Sequence, residues 1–117
     1  MTDITIYHNA RCSKSRTTLA LIEDKTDNLT IVNYLETPPT LDELQNIISL
    51  LGFTSAQQLM RTGEAVYKEL QLKTEDNEAA LLQAMLDNPK LIERPIVLAN
   101  GKAKIGRPPE SVLEIIE

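Results

Sequence analysis

The alternation of predicted strands and helices most strongly constrains what this chain can fold into. Residues 4–7 are rich in β-branched and aromatic side chains and predict a strand. The segments 17–24 and 29–34 then predict a helix and a second strand. This β-α-β order predicts a parallel strand pair joined by a crossover helix.

The middle of the chain predicts a block of helices. Apolar residues recur at helical spacing over 41–51, where Thr40 caps the first turn and Gly52 ends the helix. Further helical segments are predicted over 54–60, 67–70 and 78–87.

The last part of the chain predicts an antiparallel hairpin and a covering helix. Asn100-Gly101 is a typical two-residue hairpin turn between strands over 96–99 and 103–105, and a helix follows over 110–116. The complete order is that of an α/β protein with a thioredoxin-like core (β-α-β, then β-β-α) and a helical insertion. A chain of 117 residues predicts a single domain over 1–117.

Composition narrows the class of protein. A net charge of −5 without a visible basic patch argues against nucleic-acid binding. No apolar run approaches membrane-spanning length, and the N-terminus opens into a strand pattern rather than a signal peptide, so we expect a cytoplasmic protein. A single cysteine excludes an internal disulfide and a cysteine-based zinc site, and we expect no metal and no bound cofactor.

Cys12 lies between the first predicted strand and the first predicted helix. At a helix N-terminus, free backbone N–H groups and the helix dipole favour a thiolate, and Arg11, Lys14 and Arg16 act in the same direction. A lone cysteine is more often a small buried hydrophobic residue, but three cations would not flank such a residue. We therefore predict an exposed, reactive thiol.

In thioredoxin-like folds a cis-proline commonly faces this cysteine, so we expect a cis peptide bond before Pro95.

Arginine is scarce and unevenly distributed. Two arginines flank Cys12, and two more precede prolines, at Arg94-Pro95 and Arg107-Pro108. The planar guanidinium group presents a fork of donors that suits oxyanions. An isolated surface arginine is usually solvated or ion-paired, whereas several scarce arginines at loop positions are candidates for anion ligands.

Five motifs in one order resemble the glutaredoxin-linked arsenate reductase (ArsC-like) family. They are HNARCSKSR near the N-terminus, YLETPPT after the second strand, LMR in the helical block, ERPIV before the hairpin and IGRPPE before the last helix. The resemblance runs nearly end to end and is closest to the short members of the family. It implies a thiol-dependent reductase that acts on a tetrahedral oxyanion. We expect the reaction to be the reduction of arsenate to arsenite. Ala10 and the basic Arg11 and Lys14 depart from the family pattern, and these departures concern the identity of the substrate.

The resemblance implies a role for each matching residue. Cys12 is the nucleophile that attacks the oxyanion. The residues that hold the oxyanion and its thiol adduct are Arg61, Arg94 and Arg107. The supporting positions of the cysteine loop are His8, Ser15 and Arg16. For His8, structural or electrostatic support is favoured over proton transfer.

The spacing of Cys12 and Ser15 is that of a C-x-x-C redox pair whose second thiol is missing. One cysteine cannot resolve its own adduct, so turnover requires an external thiol and a separate disulfide reductase. The resemblance implies glutathione as the co-substrate and glutaredoxin as the partner.

Two other functions stay open from the sequence. A monothiol thiol-transferase would use the same C-x-x-S spacing, although Arg61, Arg94 and Arg107 exceed what a glutathione carboxylate requires. The fold family also includes Spx-like regulators that bind RNA polymerase, but these generally carry a C-x-x-C switch that Ser15 removes. A phosphatase is disfavoured because Arg16 follows Cys12 too closely for a C-x5-R phosphate loop.

Overall fold

The computed structural model describes residues 3–116 and contains one four-stranded sheet with the order β2-β1-β3-β4. The strands are β1 (Asp3–His8), β2 (Asn28–Asn33), β3 (Ile96–Ala99) and β4 (Lys102–Ile105). β1 and β2 are parallel, with the register running from Asp3↔Asn28 to His8↔Asn33. β3 is antiparallel to both β1 and β4. The predicted parallel pair, the hairpin and the thioredoxin-like α/β core are thereby confirmed.

The helices connect the strands in the predicted order. The α-helices are α1 (Ser13–Glu23) between β1 and β2, and then α2 (Leu41–Leu50), α3 (Ala65–Glu69) and α4 (Glu78–Asp87) between β2 and β3. The 3₁₀ helices are Ala56–Leu59, Leu72–Thr74, Pro89–Leu91 and Pro109–Ile115. No helix within residues 3–116 is long and apolar enough to span a membrane.

Several helices differ from their predicted form or bounds. The segment predicted over 54–60 is the 3₁₀ helix Ala56–Leu59, and α3 spans Ala65–Glu69 rather than 67–70. α1 begins at Ser13 rather than at residue 17, because the Arg16 N–H donates to the Cys12 carbonyl at 3.0 Å and closes a first turn that is polar throughout. The last helix has 3₁₀ geometry, with the Ser111 N–H donating to the carbonyl of Pro108, three residues earlier. The earlier start of α1 puts Cys12 directly at its N-cap.

The chain divides into two compact units. The first contains the described residues up to Thr37 and those from Arg94 onward, and it includes the whole sheet. The second, Pro38–Glu93, is the predicted helical insertion. The single domain over 1–117 stays a prediction, and residues 1, 2 and 117 of that range lie outside the described residues.

The core of the first unit lies between one face of the sheet, α1 and the last 3₁₀ helix. Ile4 and Ile6 of β1 alternate into this core and pack with Ile22 of α1, Val97 of β3 and Val112. Burial of these aliphatic side chains anchors both β1 and α1. The loop between them, which carries Cys12, is therefore held at both ends.

The second unit has its own buried residues and a carboxylate that joins two of its helices. Leu44 of α2 and Met85 of α4 are fully buried. Glu78, the first residue of α4, accepts a hydrogen bond from the Ala56 N–H at 2.8 Å and from the Ser55 hydroxyl at 2.7 Å. This contact ties α4 to the 3₁₀ helix Ala56–Leu59.

Candidate active site

The loop between β1 and α1 places Cys12 at the helix N-cap. The Cys12 N–H donates to the Asn9 carbonyl at 3.0 Å, and the Cys12 carbonyl accepts from the Arg16 N–H. The backbone at Cys12 is extended, with φ −93° and ψ 122°, as is usual for an N-cap. Cys12 is free and half-buried, so it is less exposed than the sequence predicts.

Arg107 brings a positive charge to the thiol. Its Nη2 lies 3.8 Å from the Cys12 Sγ, although the two residues are 95 positions apart in sequence. The Arg107 Nε donates to the Arg94 carbonyl at 2.9 Å, which fixes the guanidinium group. The Arg94–Pro95 and Arg107–Pro108 peptide bonds are both cis, and only the first is expected from the sequence. The Arg107 guanidinium group, beside the Cys12 sulfur, favours the binding of an anion there.

The chain packs tightly at Gly106, the residue that follows β4 and precedes Arg107. A Cβ atom on Gly106 would lie 2.5 Å from the Thr18 Oγ1 and 2.8 Å from the Pro95 Cγ, so only glycine fits there. Thr18 is fully buried, and its hydroxyl donates to the Lys14 carbonyl at 2.7 Å. The Gly106 N–H donates to the Pro95 carbonyl at 2.9 Å. The residue next to Arg107 is thereby fixed against the helix that Cys12 begins.

His8 and Ser15 form a buried pair beneath the loop. The His8 Nδ1 lies 2.6 Å from the Ser15 Oγ, which also accepts the Asn9 N–H at 3.0 Å. Burial lowers the pKa of His8 below its usual 6.5, the charge of Arg16 lowers it further, and Glu23 acts in the opposite direction. The imidazole is therefore neutral at pH 7, and it supports the loop by hydrogen bonding rather than as a cation.

Arg16 and Asn9 hold the shape of the cysteine loop. The Arg16 Nη1 donates to the Ala10 carbonyl at 2.8 Å, and the Asn9 Oδ1 accepts the Arg11 N–H at 3.0 Å. The second contact is an Asx turn, in which an asparagine side chain bonds the backbone two residues later. Sequence reasoning missed Asn9, although an asparagine between a strand and a helix is itself a turn signal.

The other two predicted anion ligands have different surroundings. Arg61 belongs to the second unit, where its Nη1 lies 2.6 Å from the Glu64 Oε2 and its Nε 3.8 Å from the Glu93 Oε1. These acidic partners are not anticipated from the sequence. Arg94 is half-buried, and its Nε and Nη1 atoms are inaccessible to solvent. Anion binding by Arg61 and Arg94 stays a prediction.

The arrangement in the first unit has the components of a nucleophilic site for anions. A half-buried thiol begins a helix, where unpaired backbone N–H groups favour anions, and the Arg107 guanidinium lies beside the sulfur. Within residues 3–116, His, Cys, Asp and Glu side chains form no cluster of three or more that could hold a metal ion.

Comparisons with known proteins agree with this architecture. The chain is similar to an uncharacterised protein of Escherichia coli strain K12, at 56% identity over 97% of this chain and 96% of the relative. It is 50% identical to an arsenate reductase of Neisseria meningitidis serogroup B, over 99% of this chain and all of the relative. The solved structure of an arsenate reductase from Vibrio cholerae matches with a TM-score of 0.93 and 48% identity, over 98% of each chain. A model of the ArsC family matches residues 7–115, and the chain therefore belongs to the ArsC family.

Proposed function

We propose that this protein is an arsenate reductase in which Cys12 is the nucleophile and glutathione is the external reductant. The observation that carries the proposal is the Arg107 guanidinium 3.8 Å from the only cysteine sulfur of the chain. The names of relatives that are about half identical over the full chain support arsenate as the substrate.

The first step forms a bond between sulfur and arsenic. The Cys12 sulfur attacks the As(V) atom of H₂AsO₄⁻, and one arsenate oxygen leaves as water with the thiol proton and a proton of the anion. The product is an anionic Cys12–S–As(V) adduct, and no electrons have yet reached arsenic. Arg107 counters the charge of the incoming anion and of this adduct. Arg94, in the same unit, would hold a further oxygen, and the same role for Arg61 stays a prediction from the family motifs.

The second step reduces arsenic and needs a second thiol. Glutathione attacks the Cys12 sulfur, and the S–As bond breaks with its electron pair on arsenic. Arsenic gains two electrons and leaves as arsenous acid after taking up protons, while the two sulfurs form a mixed disulfide. A glutaredoxin would then return Cys12 to the thiol by disulfide exchange. We expect this cycle to run in the cytoplasm, where glutathione is available.

The supporting residues would keep the loop in position through these steps. Ser15 occupies the place of a resolving cysteine, but its hydroxyl bonds His8 and the Asn9 N–H. Arg16 closes the same loop onto the Ala10 carbonyl. The absence of a second sulfur at position 15 equally suits the alternative function, a monothiol thiol-transferase.

Arsenate-dependent NADPH oxidation with glutathione, glutathione reductase and a glutaredoxin tests the proposal. We expect turnover that Cys12→Ser abolishes, since a serine hydroxyl is essentially un-ionised at neutral pH. Arg107→Gln should raise the arsenate KM about 10- to 100-fold, because a charge-assisted interaction worth about 1.5–3 kcal/mol is lost. Lys102→Gln, which removes an exposed cation of β4, is the matched control and should leave the KM unchanged. Glutathionylation of Cys12 without arsenate reduction would instead support the thiol-transferase.

A further inference from the structure

We propose that a cavity at the carboxyl ends of β1 and β2 binds the amino-acid portion of the external thiol, a small zwitterionic thiol peptide such as glutathione. This inference rests on the proposed function, because that function requires a second thiol to reach Cys12. It assigns a site to the thiol that is distinct from the guanidinium groups expected to hold the oxyanion.

The cavity has the size and the location of a small-molecule site. Its volume is about 310 Å³, at the lower end of the range of about 300–1,000 Å³ that is typical of ligand pockets. It opens where the parallel ladder ends, since His8 and Asn33 are the last paired residues and both line it. Open α/β sheets generally bind ligands outside the carboxyl ends of their parallel strands.

Hydrogen bonds fix both walls of the cavity. On one side, the Asn33 carbonyl accepts the N–H groups of Glu36 and Thr37, each at 2.9 Å, and closes the turn after β2. On the other side, residues 9–11 belong to the turn that the Cys12 N–H closes onto the Asn9 carbonyl. The second wall therefore ends at Arg11, the residue directly before Cys12 in the chain.

The charges that line the cavity match a zwitterion. Arg11 and Glu36 both line it and both are exposed, and within residues 3–116 neither takes part in an ion pair. Glutathione carries carboxylates and an ammonium group, which a guanidinium and a carboxylate recognise respectively. His8 also lines the cavity but is neutral at pH 7, so Arg11 is the cation of this site. The Asn33 side chain adds a neutral hydrogen-bonding group for a peptide unit.

Disulfide exchange tests the cavity independently of arsenate. Reduced protein is mixed with oxidised glutathione or with the uncharged bis(2-hydroxyethyl) disulfide, and the Cys12 thiolate attacks one sulfur and releases the other as a thiol. Arg11→Gln and Glu36→Gln should each lower the rate with oxidised glutathione about five- to tenfold relative to the rate with the uncharged disulfide. Lys14→Gln is the matched control, because it removes a cation near Cys12 that does not line the cavity. It should not change the ratio of the two rates.

The same variants separate the cavity from the proposed reaction. In the coupled assay, Arg11→Gln and Glu36→Gln should raise the glutathione KM and leave the arsenate KM unchanged. If the wild-type protein does not reduce arsenate but the disulfide selectivity holds, the cavity is supported and the proposed function is wrong. If both variants alter the two disulfide rates equally, or alter neither, the cavity does not bind glutathione and the inference is overturned. Both residues are exposed, and circular dichroism verifies that each variant is folded.

Discussion

The positive charge around Cys12 comes from arginine and not from histidine. Arg107 lies beside the sulfur and Arg16 spans the loop. His8 is buried, with a relative exposure of 6%, and is hydrogen-bonded to Ser15. A buried imidazole next to a guanidinium group is held in its neutral form. The histidine therefore contributes to the shape of the site, and the arginines contribute its positive electrostatic potential.

Nuclear magnetic resonance can test this assignment directly, because His8 is the only histidine in the sequence. We expect its titration midpoint to lie below 6.5. Arg16→Gln should raise the midpoint only part of the way, since burial is the larger cause and Arg16 the second. Arg16→Lys keeps the charge and serves as the control. A midpoint at or above 6.5 in the wild-type protein would contradict the neutral imidazole.

The lowered pKa of His8 determines the direction in which the free energy of unfolding changes with pH. The unfolded chain takes up a proton at His8 near pH 6.5, whereas the folded protein does so only at lower pH. Between these two values the unfolded state binds more protons, so the free energy of unfolding decreases as the pH falls below 6.5. His8→Asn should flatten this part of the curve, as measured by urea unfolding at a series of pH values. An equally steep curve would exclude His8 as its source.

At the scale of elements, Glu78 joins α4 to the 3₁₀ helix Ala56–Leu59. The Ala56 N–H and, to a smaller extent, the Ser55 hydroxyl lower the pKa of this carboxyl below 4.5. Its contribution to stability is therefore complete above pH 4.5 and is lost as the pH falls through the folded pKa. Glu78→Gln should cost about 1 kcal/mol at pH 7, a modest value because the side chain is exposed and screened. Asp76→Asn, a nearby exposed acid, should cost less, and equal losses would contradict the role of these hydrogen bonds.

Gly106, directly after β4, packs closely against Thr18 of α1 and against Pro95. Gly106→Ala should destabilise the protein by about 1–3 kcal/mol, because the new methyl group collides with Thr18 and Pro95. It should also move Arg107 away from the thiol and lower the ratio of the alkylation rates of Cys12 by iodoacetate and by iodoacetamide. Val112→Ala, a core cavity in the same unit, is the control for destabilisation alone. If the ratio is unchanged in Gly106→Ala, the packing does not position Arg107.

At the scale of the whole molecule, local patterns and long-range packing differ in how well the sequence predicts them. The bounds of α4 and β3 are as predicted, because their periodicity and turn signals are local. The first turn of α1 was missed because its residues are polar and resemble a loop. The proximity of Arg107 to Cys12 was predictable only through the family motifs. The Gly106 contact depends on the exact approach of three elements, which no local pattern encodes.

The central position of β1 has a consequence for synthesis of the protein on the ribosome. β1 and its parallel neighbour β2 emerge early, whereas β3, the antiparallel neighbour of β1, follows the whole insertion. During that interval, the backbone groups of β1 that face β3 in the finished sheet have no partner strand in the nascent chain. Cys12 likewise leaves the ribosome long before Arg107. The reactive centre is thus completed only after the insertion and both strands of the hairpin have been synthesised.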